Sequence, residues 1–112
     1  DFIGRINNTR IIKPVGYLDM LALGYNSAKI LTDSGGLQKE AYMLGVPCIT
    51  LRENTEWVET VEDGWNVLVG SKKERIVLAS KAFCPRSTRT DVFGDGNSSL
   101  IINRNIIEKL NI

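Results

Sequence analysis

Histidine is absent from this sequence of 112 residues. Its absence removes the commonest general base in proteins, so any proton chemistry must use carboxylates, lysine or tyrosine, or groups outside the chain. Cysteine is scarce. Cys48 and Cys84 lie far apart with no metal-like spacing, which argues against a zinc site. Cys48 sits in an apolar run, where a free cysteine acts as a small buried hydrophobe. We expect both thiols to be reduced, in the cytoplasm. Neither sign of charge dominates: 14 basic and 13 acidic residues leave a formal net charge of +1. Such a chain carries no basic footprint for nucleic acid and no acidic tail. Aromatic residues are few, 7% of the total, and do not interleave with arginine in one stripe. No apolar run approaches the roughly 18 residues of a membrane span, and no signal-peptide pattern opens the chain. The first residues are Asp1-Phe2-Ile3 rather than a methionine. From that we expect a fragment or a processed product.

What is present fits one globular domain. The chain is 43% hydrophobic and 24% charged, with length enough to bury a core. Residues 1–8 are ambiguous between a loop and a helix remnant. Residues 10–13 read as a strand stopped by Pro14. Residues 16–27 carry apolar side chains at Tyr17, Leu18, Met20, Leu21, Leu23 and Tyr25, the pattern of a mostly buried helix. Strands are expected over 29–32, 47–51 and 66–69. A helix is expected over 35–44, ended by Gly45 in a left-handed cap. Asn54 or Thr55 is placed to cap a third helix ending at Gly64, and Ser71 to cap a fourth running to Phe83. Residues 84–97 are rich in turn formers, and a last helix opens at Ser98 or Ser99 and runs to Leu110. Lys72, Lys73, Glu74 and Arg75 read as a solvated helix face, and Trp57 and Trp65 as packing residues. Strand and helix alternate four times with short links, the pattern of a parallel sheet covered by helices. The crossovers are expected to be right-handed. There is no internal repeat and no low-complexity linker.

One junction carries chemistry. In Thr32-Asp33-Ser34-Gly35-Gly36 a strand hands over to a helix, and ligands of open α/β sheets bind beyond the carboxyl ends of strands. The first N–H groups of a helix lack intrahelical partners and carry positive partial charge. A phosphate is a natural guest there. Two residues without a Cβ let its oxygens approach the backbone. The Ser34 hydroxyl can add a hydrogen bond. The plainer alternative is that Asp33 or Ser34 caps the helix while Gly35 and Gly36 make a tight turn. Glu40 lies one turn further on, and helical side chains lean toward the N-terminus. Its carboxylate can accept two hydroxyl hydrogen bonds from a ribose, or serve as an ordinary acid near a helix start. Lys39 beside it is expected to face solvent. Arg52 follows the next strand and can pair with phosphate, Glu53 or Glu56. Thr55 is either a cap or a ligand hydroxyl.

The runs "TDSGGLQKEA" (residues 32–41) and "GVPCITLRENTEWVETVEDGWNVLVG" (residues 45–70), with "FGDG" at 93–96, closely resemble the non-hydrolysing UDP-N-acetylglucosamine 2-epimerase family. The resemblance covers nearly the whole chain. It implies an α/β fold: a Rossmann-like three-layer α/β/α unit with a parallel sheet. Residues 1–112 would be the C-terminal part of the UDP-binding second domain of a glycosyltransferase-B arrangement, with the N-terminal domain absent. The same resemblance assigns Ser34, Gly35 and Gly36 to the diphosphate and Glu40 to the ribose hydroxyls. The segment that includes Val15 and Met20 flanks the uracil, although the family often has an aromatic residue where Met20 stands. Arg52 and Thr55 complete the candidate substrate-binding set. Where many bacterial members carry Arg-Pro, this chain has Trp57-Val58. That departure resembles a subgroup that includes epimerases of diacetamido-glucuronate nucleotide sugars and some archaeal-like members.

The family reaction interconverts UDP-GlcNAc and UDP-ManNAc by eliminating and re-adding UDP, with no nicotinamide and no metal. Its proton-moving acids and its histidine have no counterpart in these residues. The resemblance therefore implies no catalytic residue here, and a chain that alone binds UDP weakly and catalyses nothing. It also implies the missing N-terminal domain as partner, a homodimer, and a cytoplasmic role in making cell-envelope polysaccharide precursors. Competing readings are a nucleotide-sugar glycosyltransferase of the same architecture, a hydrolysing epimerase, and a non-catalytic UDP-binding module. The intact Asp-Ser-Gly-Gly-Leu-Gln run favours the non-hydrolysing epimerase.

Overall fold

Three short runs, Ile-Leu-Thr, Cys-Ile-Thr and Asn-Val-Leu, make up the sheet of the computed structural model, which describes residues 8–112. They form β1 (Ile30–Thr32), β2 (Cys48–Thr50) and β3 (Asn66–Leu68), all parallel and in the order β1-β2-β3. Five helices accompany them: α1 (Tyr17–Tyr25), α2 (Gly35–Leu44), α3 (Val58–Glu62), α4 (Lys73–Ala82) and α5 (Ser98–Leu110).

The register aligns Ile30 with Cys48 and Asn66, Leu31 with Ile49 and Val67, and Thr32 with Thr50 and Leu68. Side chains alternate between faces along a strand. One face therefore carries Ile30, Cys48, Thr50 and Asn66, and α2 and α3 lie on it. Ile30, Ala41, Val46 and Cys48 form the core there, flanked by Leu37 and Leu44. The other face carries Leu31, Ile49 and Val67. On it α4 is tied down by Lys29, whose Nζ donates to the Ser80 carbonyl at 2.8 Å. All three residues of β2 are buried, as a central strand covered on both faces requires. The α/β class and the layering agree with the sequence reading.

Helix α2 spans the expected residues. Gly45 closes it in the left-handed conformation, φ 74°, where a Cβ would be strained. The α5 boundaries also match.

Other expectations are corrected. Residues 10–13 form no strand; Ile11 and Ile12 are 60% and 53% exposed. A strand needs a neighbour to hydrogen-bond, and among the described residues none lies beside them. Helix α1 forms but is not buried. Only Gly24 is enclosed, at a close approach where a Cβ would meet Leu44 Cδ1 at 3.2 Å. Leu21 is half-buried where α1 meets α2, but Tyr17, Leu18, Met20, Leu23 and Tyr25 stay exposed. Thr55 does not cap α3, which starts only at Val58, and Ser71 does not cap α4. Residues 1–7, which hold nearly all of the ambiguous first segment, lie outside the described residues.

Candidate functional site at the start of α2

The carboxyl end of β1 passes through Asp33 into Ser34, the N-cap of α2. Thr32 sets this turn: its Oγ1 accepts from the Ser34 N–H at 3.0 Å. Ser34 Oγ accepts from the Leu37 N–H at 3.4 Å, and the Gln38 N–H donates to the Ser34 carbonyl at 3.3 Å. The capping role weighed for Ser34 is therefore real, and Asp33 takes no part in it. What remains is informative. The Gly35 and Gly36 N–H groups have no acceptor among the described residues, and they stand at the positive end of a ten-residue helix. A Cβ on Gly36 would meet nothing nearer than Ser34 Oγ at 4.0 Å. Packing among the described residues does not demand a glycine there, whereas a ligand approaching the backbone would.

Behind the turn runs a buried polar network that sequence reading missed. Gln38 is 0% exposed. Its Nε2 donates to the Ser34 carbonyl at 3.3 Å. Its Oε1 accepts from Thr55 Oγ1 at 2.6 Å and from Asn66 Nδ2 at 3.2 Å. Asn66 in turn donates to Thr60 Oγ1 at 3.0 Å and accepts from Thr50 Oγ1 at 2.7 Å. Buried polar groups cost free energy unless paired, and these are paired with one another. The network locks the Ser34 turn to β2, β3 and the 52–57 loop. Thr55 belongs to it, and its Oγ1 also accepts from the Trp57 N–H at 3.0 Å. A glutamine and an asparagine in amphipathic patterns read as surface residues; no local signal marks them as buried.

The 52–57 loop brings charge to the same mouth. Arg52 Nη1 donates to both Glu56 carboxylate oxygens, at 3.0 and 3.2 Å, and Nη2 to Asn54 Oδ1 at 3.2 Å. Of the partners considered for Arg52, Glu56 is the one engaged; Glu53 instead faces Arg75 at 3.4 Å. Arg75 stays exposed, as expected of its run, while its Nη2 also donates to the Leu68 carbonyl at 3.1 Å. The Glu56 carboxyl is held below its ordinary pKa, first by its own backbone N–H and then by Arg52. It also stands against the helix start: a Cβ on Gly35 would meet Glu56 Oε2 at 3.2 Å. Glu40 is half-buried one turn into α2 and makes no hydrogen bond or ion pair among the described residues. Lys39 does not simply face solvent: its Nζ lies 4.5 Å from the Trp57 ring centre and 4.8 Å from that of Phe93.

Val15 is half-buried just before α1, and Met20 lies within α1, 40% exposed. Neither takes part in the hydrogen-bonded network that unites Ser34, Gln38 and Thr55; Arg52, bonded to Glu56 and Asn54, shares only the 52–57 loop with Thr55. Among the described residues no group of acidic, cysteine or histidine side chains has metal-ligand geometry, and no helix is long and apolar enough to cross a membrane. A cleft of about 600 Å³ lies elsewhere, between the end of α3 and residues 82–87. Its Asp63 carboxylate is already engaged by Tyr42 and Thr90. None of the residues lining that cleft belongs to the start of α2.

A family model described as UDP-N-acetylglucosamine 2-epimerase matches residues 1–109. Over 101 residues the chain is 60% identical to a UDP-N-acetylglucosamine 2-epimerase homolog of Methanococcus maripaludis, covering 89% of this chain and 28% of that protein. A UDP-2,3-diacetamido-2,3-dideoxy-D-glucuronate 2-epimerase of Pseudomonas aeruginosa is 46% identical over 92 residues, covering 80% of this chain and 26% of that one. The solved structure of Methanocaldococcus jannaschii UDP-GlcNAc 2-epimerase in complex with UDP-GlcNAc and UDP superposes with a TM-score of 0.78 at 49% identity, over 88% of this chain and 28% of that chain. The chain thus spans little more than a quarter of the length of these relatives.

Proposed function

This chain belongs to the UDP-N-acetylglucosamine 2-epimerase family, and on that premise we propose that it is the UDP-holding C-terminal part of a nucleotide-sugar 2-epimerase. The observation that carries the reading is the pair of unpartnered amides, Gly35 and Gly36, at the start of α2. Ser34, Gly35 and Gly36 receive the diphosphate. Glu40, free of other partners, takes the ribose hydroxyls. Arg52 supplies a cation beside the phosphates, Thr55 holds the loop that presents it, and Val15 and Met20 flank the uracil.

The reaction explains why such a seat is needed. A base removes the C2 proton, the bond from C1 to the UDP oxygen breaks, and UDP departs with the electron pair, leaving a glycal. Re-addition of UDP with protonation on the opposite face of C2 gives the epimer. Negative charge grows on the leaving diphosphate. Fixed N–H donors and a helix dipole stabilise it without reorganising. They also retain UDP, so its return is effectively intramolecular. The substrate is UDP-GlcNAc, giving UDP-ManNAc, or a related 2-acetamido sugar; the Methanocaldococcus relative supports the first choice, the Trp57-Val58 departure and the Pseudomonas relative the second.

The catalytic acids and bases come from the rest of the protein, across the mouth of α2. An N-terminal domain would lie there and against the exposed apolar faces of α1 and α5. We further propose a homodimer working in the cytoplasm, where Cys48 and Cys84 stay reduced.

Two measurements test this. Titration with UDP should shift the amide resonances of Gly35 and Gly36, and Glu40→Ala should weaken UDP binding while leaving that of inorganic pyrophosphate unchanged. Equal loss for both ligands would remove Glu40 from the ribose. In a protein joining this chain to the remaining length of its relatives, UDP-GlcNAc or its 3-acetamido uronate analogue in deuterated water should gain deuterium at C2. No exchange with either sugar would contradict the epimerase reading.

A further inference from the structure

The mouth of α2 already holds an anion of the chain's own. Glu56 Oε2 lies 3.2 Å from where a Cβ of Gly35 would stand, beside the unpartnered amides. The same carboxylate binds Arg52 through both oxygens, at 3.0 and 3.2 Å. Arg52 is the cation assigned above to the phosphates, and its Nη1 is engaged by Glu56.

We propose that Glu56 is a built-in competitor of the diphosphate, which must take Arg52 from it and tolerate its charge beside the helix start. The inference rests on the diphosphate seat proposed above.

The physical argument is short. A carboxylate and a diphosphate are like charges, and both are favoured at the same helix terminus. They also seek the same planar guanidinium fork. Glu56 is exposed and its loop is open to solvent, so it can swing aside, but its charge stays within a few ångströms of the arriving phosphates. The consequence is a seat that holds UDP less tightly than its amides and arginine alone would. For a reaction that must release the whole nucleotide sugar at the end of each turnover, moderate retention is useful: product release often limits turnover. Arg52 serves two partners in sequence, keeping the 52–57 loop closed on Glu56 when the seat is empty and turning to the phosphates when it fills.

Calorimetric titration of wild type, Glu56→Gln, Arg52→Gln and the double variant with UDP and with uridine tests this. Glu56→Gln keeps the shape and removes the charge. It should bind UDP about three- to tenfold more tightly than wild type, with uridine affinity unchanged. In the Arg52→Gln background the gain should shrink, because there is no arginine left to release and only the repulsion between Glu56 and the phosphates remains. Equal or weaker UDP binding by Glu56→Gln overturns the proposal with the seat intact. So does an equal gain for uridine, which has no phosphate, or a gain undiminished without Arg52. Failure of the wild-type chain to bind UDP at all removes the seat itself, and the proposal with it.

Discussion

Gln38 is fully enclosed one turn into α2, and its amide reaches the Ser34 carbonyl, Thr55 and Asn66 at once. Few side chains can satisfy that demand, since it needs a donor and an acceptor on one planar group. Gln38→Leu keeps the bulk and removes both. The Thr55 hydroxyl then loses its acceptor and Asn66 keeps only Thr60 for its amide protons. We expect a loss of about 1–3 kcal/mol in urea denaturation, with weaker UDP binding as the Ser34 turn loosens. Unchanged stability would mean that the network is not the support described. At this scale the legible residues were those whose chemistry is local. Ser34, Gly35 and Gly36 stood out because a hydroxyl and two glycines at a strand-to-helix junction can cap the helix or seat an anion, and the Ser34 cap is there. Gln38 and Asn66 did not, because burial of a polar residue is decided by distant segments, α3 and β3, that no local pattern encodes. Glu56 was visible only as a partner for Arg52; its place against Gly35 is a tertiary fact.

Among elements, the segment over residues 84–97 is the least regular and yet is anchored. Arg89 donates to the Tyr42 and Met43 carbonyls at 2.7 and 2.6 Å, filling acceptors that the last turn of α2 leaves open, where a cation suits the dipole. Asp63 accepts from the Tyr42 hydroxyl at 2.5 Å and from the Thr90 N–H at 2.9 Å, and Trp65 Nε1 donates to the Ser87 carbonyl at 3.0 Å. These contacts hold the Asp63 carboxyl below its ordinary 3.8, the Tyr42 hydroxyl contributing most. A depressed carboxyl stabilises the folded state fully above its unfolded pKa, and the contribution is lost as pH falls through the lower folded value. Acidification below about pH 4 should therefore loosen this segment, read as a change in Trp65 fluorescence. Asp63→Asn should begin with a lower thermal midpoint and lack that acid step. A step of equal size in the variant would assign it to other carboxylates.

Turn formers announced this segment, but its anchors pair residues some 22 to 48 positions apart and left no local mark. Periodicity and capping glycines located α2, α5 and the three strands. They failed at residues 10–13, where an apolar run has no strand to pair with among the described residues, and at α1, whose helical pattern was right and whose burial was not.

The whole chain is elongated, 65 × 30 × 22 Å with a radius of gyration of 17.8 Å. A compact unit of this length would have a radius near 13 Å. Helix α5 has no buried residue although Leu100, Ile101, Ile106 and Leu110 are apolar, and β1 and β3 are unpaired on their outer sides among the described residues. Such faces seek cover, and the relatives are more than three times as long as the stretch matched here. The central claim concerns the part already in place: the α2 amides hold a diphosphate, and Gly36 is a glycine for the ligand's sake. Calorimetric titration of the wild-type chain and Gly36→Ala with UDP, alongside their thermal midpoints, tests it most directly. Space around Gly36 and the helix preference of alanine predict an unchanged or higher midpoint with UDP binding at least about tenfold weaker, the methyl standing where a phosphate oxygen would lie. Equal UDP affinity in the two proteins, or none in the wild type, would contradict it.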